Sequence, residues 1–297
     1  MNTTTFSASP VSIGVIGGSG LYQMDGLTHL QEHAITTPFG PPSDSVMTGQ
    51  IDGTTVAFLA RHARGHRLMP SEIPFLANIW ALKFLGVKYL LSVSAVGSLQ
   101  DDAAPLDVVL PDQFIDHTRL RPRTFFGDGA VAHAALGEPV CLALREVVWQ
   151  AGQSTGFGRG KLHLGGTYLC IEGPQFSTRA ESLMFRQWGA TVVGMTNMPE
   201  ARLAREAEMA YATIALVTDY DSWRERTEPV TAGMAMANLA ENAANAQRLV
   251  RETIRRLAAK PPASLAHDAL ASALVTPVAG MRPELIKRLK PLLQKYL

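Results

Sequence analysis

Two aspartates one residue apart, in Thr218-Asp219-Tyr220-Asp221, follow the apolar run from Thr213 to Val217. Alternate residues of an extended segment project to one side, so both carboxylates can meet a single planar, nitrogen-rich ligand. No Cys or His accompanies them at metal-ligand spacing, which disfavours a metal site, and a helix-capping or salt-bridged pair is the plainer alternative. Arg61 and His62 end a second run, Val56 to Ala60, with Arg64, His66 and Arg67 close behind. A guanidinium offers a planar fork of donors and an imidazole one further N–H, which suits an oxyanion; solvated loop charges are the competing reading. Gly17-Gly18-Ser19-Gly20 follows a third run, Ile13 to Ile16, where the glycines let the backbone approach an anion and Ser19 adds a hydroxyl. Ser92 to Ser98 is small and hydroxylic at the end of a fourth run, where open α/β sheets place their ligands. Each cluster alone reads as turn chemistry. Convergence of Ser19, Arg61, His62 and Ser94 on one sheet edge reads instead as an anion site.

The elements that must carry these residues form an alternation. Apolar, β-branched runs (Ile13 to Ile16, Val56 to Ala60, Tyr89 to Val93, Val108 to Leu110, Thr191 to Met195, Thr213 to Val217) recur between longer helix-like segments. Such alternation predicts an α/β fold, a single domain with a mixed, twisted β-sheet flanked by helices. Ser71 is placed to cap a helix running to Phe84, with Pro74 in its first turn. Thr178 and Glu181 have capping-box spacing, which puts Gly173, Pro174 and Phe176 on a loop at a helix start. Gly233 to Ala259 reads as a long helix stopped near Pro261 and Pro262. The expected organisation is therefore a body over residues 1–262 and a helical extension over 263–297. In that extension Leu285, Ile286, Leu289, Leu292, Leu293 and Tyr296 form an apolar stripe that packs on the body or a neighbouring subunit.

Composition narrows the function. The chain has 297 residues, 46% hydrophobic and 18% charged, and its net charge of +1 balances 27 basic against 26 acidic residues. That is enough apolar material for a large core, with no electrostatic footprint for nucleic acid or an acidic membrane. A small neutral or anionic partner fits better. Cys141 and Cys170 lie in apolar runs without metal-ligand spacing and read as buried thiols. No run reaches the roughly 18 apolar residues of a membrane helix, and the Ser/Thr-rich start has neither charge nor apolar stretch for a leader, so a cytoplasmic location is expected. The glycine cluster also fails the G-x-G-x-x-G spacing of dinucleotide binding, which counts against a nicotinamide-dependent oxidoreductase.

Taken in order, the motifs resemble the 5'-methylthioadenosine phosphorylase branch of the trimeric purine nucleoside phosphorylase family, from about Ile13 to about Leu257. The residues carrying the likeness are Gly17-Gly18-Ser19-Gly20-Leu21, Thr37-Pro38-Phe39-Gly40, Ala60-Arg61-His62 and Ala77-Asn78-Ile79-Trp80-Ala81-Leu82, followed by Asp112-Gln113-Phe114-Ile115-Asp116, Ile171-Glu172-Gly173-Pro174-Gln175-Phe176-Ser177, Met195-Thr196 and Thr218-Asp219-Tyr220-Asp221. The resemblance implies that Ser19, Arg61, His62, Ser94 and Thr196 hold phosphate. The resemblance also puts Ala95 at the phosphate and in contact with the nucleoside. Met195, Phe176, Ser177, Asp219 and Asp221 would contact the nucleoside, and Val230, Ala232, Ala235 and Met236 would surround its 5'-methylthio group. Ala232 and Ala235 are smaller than the family's usual residues there, and Gly194 replaces an Asn found before Met-Thr in some members.

The implied activity is phosphorolysis of 5'-methylthioadenosine to adenine and 5-methylthioribose 1-phosphate, a step of methionine and polyamine salvage. Broader purine nucleoside or 5'-methylthioinosine phosphorolysis is the alternative. Inorganic phosphate is a co-substrate, and no cofactor or metal is expected. His66 and His133 match positions that reach a neighbouring subunit's pocket, so the resemblance implies a homotrimer or a dimer of trimers. An Asn stands at the Asp219 position in hypoxanthine- and guanine-preferring relatives, so a carboxylate there implies a 6-amino purine. Asp219 would share a proton with ring N7 and Asp221 would accept from the 6-amino group. Burial against Phe176 and beside Asp221 would raise the Asp219 carboxyl above its ordinary range. A hydrolytic nucleosidase of similar fold would need no phosphate donors, and a binding module would need no reactive set. Both are weaker readings.

Overall fold

The computed structural model describes residues 11–18, 24, 26–156, 160–224 and 232–297, with side chains left undescribed at 232–237 and 239–241. Ser19 and Val230 lie outside the described residues, as do the side chains of Ala232, Ala235 and Met236. Among the described residues eleven strands join in one mixed sheet: β1 (Ile13–Gly17), β2 (Thr28–His33), β3 (Val46–Ile51), β4 (Thr54–Ala60), β5 (Tyr89–Ser98), β6 (Val108–Leu110), β7 (Gln113–His117), β8 (Leu162–Leu164), β9 (Thr167–Ile171), β10 (Val192–Gly194) and β11 (Ala210–Tyr220). The α-helices are α1 (Phe75–Phe84), α2 (Leu142–Thr155), α3 (Arg179–Gln187), α4 (Asn197–Glu206), α5 (Ala232–Ala259) and α6 (Pro283–Leu293). Five of the six apolar runs seen in the sequence are strands or lie within one, and the sixth, Thr191 to Met195, contains β10.

The sheet forks at β5, and the fork makes the site. One edge of β5 pairs with β11 along its whole length. The opposite edge pairs first with β1, through Tyr89 to Ser92, and then antiparallel with β10, through Gly97 and Ser98. On that edge, between those partners, the segment from Val93 to Val96 has no neighbouring strand among the described residues, so a crevice opens where β1 and β4 end. This is the switch point at which open α/β sheets take ligands. A bulge in β11 adds to it. Val217 is paired with Val96 and Asp219 with Gly97, so Thr218 is the extra residue, and its displaced carbonyl accepts from the Asn238 side chain of α5 at 2.6 Å.

Helices cover both faces. One face packs α1, α4 and α6 through Ile79, Leu82, Leu203, Leu289 and their neighbours. The other packs α2 and α5 through Leu144, Val148, Leu249 and Ile254. The capping box at Thr178 is formed: its hydroxyl accepts from the Glu181 N–H, and the Glu181 carboxylate accepts from the Thr178 N–H. Ser71 does not cap α1. Ile73 is extended because a residue before proline is pushed out of the helical region, so the helix starts only after Pro74. Ser71 lies in a single 3-10 turn, Pro70–Glu72, and donates its hydroxyl to Glu172.

The extension lies on its own chain. Leu285, Leu289, Leu292 and Leu293 are buried in the core beside α1, and Trp80 donates its indole N–H to the Arg288 carbonyl at 3.0 Å. Glu208, itself buried, anchors the segment by accepting from the Leu270 N–H at 3.0 Å and the Tyr296 hydroxyl at 2.6 Å. Of the two packing surfaces expected for this stripe, the body is the one it occupies here.

Candidate active site

A cavity of about 700 Å3 occupies the crevice and brings together residues 160 positions apart in the chain. At one end lie Arg61, His62, Ser94, Ala95 and Thr196; Asp219, Asp221, Ser177, Phe176 and Met195 also line it. His66 lines it too, from the chain that owns the cavity, with its ring stacked on His62 at 4.2 Å between centroids. His133 is exposed and is not among the lining residues; its backbone N–H donates to the Ala273 carbonyl of the extension at 2.8 Å.

Arg61 does not present its fork to the cavity. Its Nε–H and Nη2–H donate to the two oxygens of Glu200 at 2.7 and 3.0 Å, Nη2 also reaches the Ser92 hydroxyl at 2.7 Å, and Nη1 donates to the Val93 carbonyl at 3.0 Å. The last bond satisfies a carbonyl that the fork of β5 leaves without a strand partner. One N–H of Nη1 is left for a ligand, among five in the side chain. The reason for this inversion is burial: a guanidinium 2% exposed needs a counter-charge more than it needs a ligand, and Glu200 supplies it. Ser92 and Tyr211 both donate to Glu200, at 2.7 and 2.9 Å.

His62 also differs from expectation. Its Nδ1–H donates to the Leu68 carbonyl at 2.8 Å, and burial, reinforced by the neighbouring Arg61 charge, pushes the imidazole down to about 4. The ring is neutral at pH 7, so Nε2 is an acceptor rather than the further donor read from the sequence. Ser94 and Thr196 have their hydroxyl hydrogens engaged by the chain itself. Their hydroxyls meet at Asn197 Oδ1, at 3.1 and 3.3 Å, and the Asn197 amide is held the right way round by donating from Nδ2 to Thr213 and to Tyr211.

At the other end Asp219 and Asp221 both line the cavity, as the i, i+2 spacing requires, and both are buried. A Cβ at Gly97 would sit 3.2 Å from Asp219 Oδ1 and from Asp221 Cβ, so only a glycine leaves this room without displacement. The Thr218 hydroxyl lies 2.8 Å from Asp219 Oδ2 and donates to it. Phe176, which lines the same cavity, is 44% exposed. Burial raises the Asp221 carboxyl above its ordinary range. The Ser177 and Ser182 hydroxyls stand beside the buried Asp221 carboxyl and, as hydrogen-bond partners, offset part of that rise.

The sequence profile of the Phosphorylase superfamily matches residues 12–255. The chain belongs to the Phosphorylase superfamily. Within it, the chain is 56% identical over 285 residues to the S-methyl-5'-thioadenosine phosphorylase of Thermosynechococcus vestitus, covering 96% of this chain and 99% of that one. It is 47% identical to the enzyme of the same name from Geobacter sulfurreducens, covering 96% and 98%. Among solved structures, a methylthioadenosine phosphorylase from an antarctic soil metagenomic library superposes with a TM-score of 0.93 at 53% identity, covering 96% of this chain and 99% of that chain. The Schistosoma mansoni methylthioadenosine phosphorylase, solved in complex with adenine, gives 0.76 at 36% identity, covering 84% and 92%.

Several residues of this superfamily member's site were not found from sequence. Glu200 and Asn197 hold Arg61, Ser94 and Thr196 from α4, yet nothing local marks them, because Glu200 meets Arg61 across 139 positions of chain. A usable signal was the charge of Arg61 itself, whose placement after a buried strand demands a buried carboxylate somewhere. Gly194 now has a physical reason. A Cβ there would fall 1.9 Å from the Tyr168 hydroxyl of β9, so the tyrosine occupies the space where a side chain at 194 would stand.

Proposed function

We infer that the protein cleaves 5'-methylthioadenosine with inorganic phosphate, giving adenine and 5-methylthioribose 1-phosphate. The observation that carries this reading is one cavity that joins hydroxyl and guanidinium donors with a buried pair of carboxylates. The relatives named above carry the same activity in their names.

The chemistry follows from the groups present. The C1'–N9 bond breaks as a phosphate oxygen bonds to C1', positive charge grows on the sugar and the bond's electron pair moves into the purine. Phosphate would be held by Ser94, Thr196, the Ala95 N–H and the remaining N–H of Arg61, with Ser19 added by resemblance. His62 Nε2 would accept a hydrogen bond from a P–OH group. At the base, Asp219 would hold a proton at N7 and Asp221 would accept from the 6-amino group, with Ser177 beside them. Met195 and Phe176 would pack on the nucleoside, and Val230, Ala232 and Met236 would surround the methylthio group. The proton lost by phosphate ends on adenine, which balances the reaction. We place the enzyme in methionine salvage in the cytoplasm as a homotrimer, supported by the family resemblance.

The test is adenine release from 5'-methylthioadenosine with and without phosphate, with adenosine and 5'-methylthioinosine in parallel. Phosphate-dependent release favouring the methylthio substrate is expected. Phosphate-independent release would make the protein a hydrolase, and preference for the inosine analogue would overturn the roles given to the aspartates.

A further inference from the structure

The Tyr168 phenol is wholly buried on β9, and its hydroxyl makes no hydrogen bond of full geometry among the described residues, although the Ser94 and Thr196 hydroxyls lie within its reach. An unpaired buried hydroxyl costs about 1–3 kcal/mol, so it calls for an explanation. Gly194, whose missing side chain makes room for this oxygen, lines the cavity, and Thr196 lies two residues on. The nearest polar company of the phenol is the pair of hydroxyls on Ser94 and Thr196. In this structure those hydroxyls both point at Asn197 Oδ1. A hydroxyl has one hydrogen and two lone pairs. For Ser94 or Thr196 to donate to an anion, its hydrogen must leave Asn197, and its own oxygen then accepts from whatever donor stands behind it. Burial keeps the Tyr168 phenol protonated, so a donor stands there.

We propose that Tyr168 is a positioning residue of the phosphate subsite: its hydroxyl donates to Ser94 or Thr196 and turns their hydrogens from Asn197 towards the phosphate oxygens. The proposal rests on the phosphorolysis reading and deepens it. Gly194 belongs to the same device, since any side chain there drives the phenol out of place.

Tyr168→Phe removes one atom and leaves the packing intact. With purified full-length enzyme, KM for phosphate should rise about three- to tenfold, the range expected for one hydrogen bond. KM for 5'-methylthioadenosine should stay within twofold. Phosphate should also raise the Tm of the wild type more than that of the variant, because stabilisation follows the ratio of ligand concentration to Kd. Gly194→Ala should give the same selective rise in phosphate KM. An unchanged phosphate KM in Tyr168→Phe, or an equal rise in both KM values, would overturn the proposal. If the wild type released no adenine in phosphate, the functional reading would fall separately. The thermal comparison would then decide Tyr168 alone, equal phosphate shifts counting against it.

Discussion

Replacing Glu200 by Gln keeps the shape of the side chain and removes its charge beside Arg61 at the cavity wall. Four donors converge on this carboxylate: Arg61 Nε and Nη2, the Ser92 hydroxyl and the Tyr211 hydroxyl, at 2.7 to 3.0 Å. An amide oxygen can keep the donors on one side, but the NH2 group must face N–H donors on the other. The Arg61 guanidinium, 2% exposed, is then a buried charge without a counter-ion. Breaking a buried pair in this way costs about 3–5 kcal/mol, against a total stability of about 5–15 kcal/mol for an ordinary protein. The fall in Tm should be about 5–8 °C for a chain of this size. Guanidinium chloride unfolding gives the stability, and initial rates against phosphate concentration give the functional consequence, for which at least a tenfold rise in KM is expected. The double variant Arg61→Met with Glu200→Leu separates the two roles, because an apolar pair of similar volume needs no desolvation. It should recover most of the stability while phosphate use stays lost. A loss below about 1 kcal/mol in Glu200→Gln, with phosphate KM unchanged, would refute the account of this pair.

Other expectations follow from the same geometry. Because burial raises the Asp221 carboxyl, its ionisation opposes folding: the stabilising contribution is whole below the ordinary value of 3.8 and is lost as pH rises through the folded one. Asp221→Asn should therefore raise Tm at pH 7, with the gap closing in acid, while adenine release slows; a variant less stable than wild type at pH 7 would contradict this. His62 stays neutral in the fold down to about 4 and is protonated in the unfolded chain below 6.5, so stability should fall as pH drops through that window. His62→Gln should flatten that limb, and equal slopes in the two proteins would count against it. Truncation after residue 262 removes Leu285, Leu289, Leu292 and Leu293, each 4% exposed or less. At about 1.5–3 kcal/mol for each leucine, the loss approaches the whole stability of a domain, so the shortened chain should not fold to a soluble product. A truncated protein with the wild-type unfolding midpoint would show that the extension is an accessory.

What the sequence determined by itself was whatever depends on near neighbours in the chain. The alternation of apolar runs and helical segments placed β1, β4, β5, β6, β10 and β11, because each strand buried on both faces needs its own unbroken apolar stretch. The capping box at Thr178 and Glu181 and the pairing of Asp219 with Asp221 were legible for the same reason, since both depend on spacings of three residues or fewer. Ser71 was misjudged because the residue before Pro74 cannot be helical, a local rule that outweighs a capping side chain. The tertiary structure alone decided how the charges are used. Arg61 was legible as a cation at a strand end, yet whether its fork meets a ligand or a carboxylate depends on Glu200, which only folding brings alongside. His62 was legible as an imidazole, yet its tautomer is chosen by the Leu68 carbonyl and its charge by burial. The fork at β5 likewise has no signature along the chain, because which strands lie beside Ser92 and Gly97 is settled by pairing between distant segments. Periodicity and spacing record local geometry, whereas desolvation and partner choice are properties of the assembled core, and it is those that set which groups of this site can donate, accept or carry a proton.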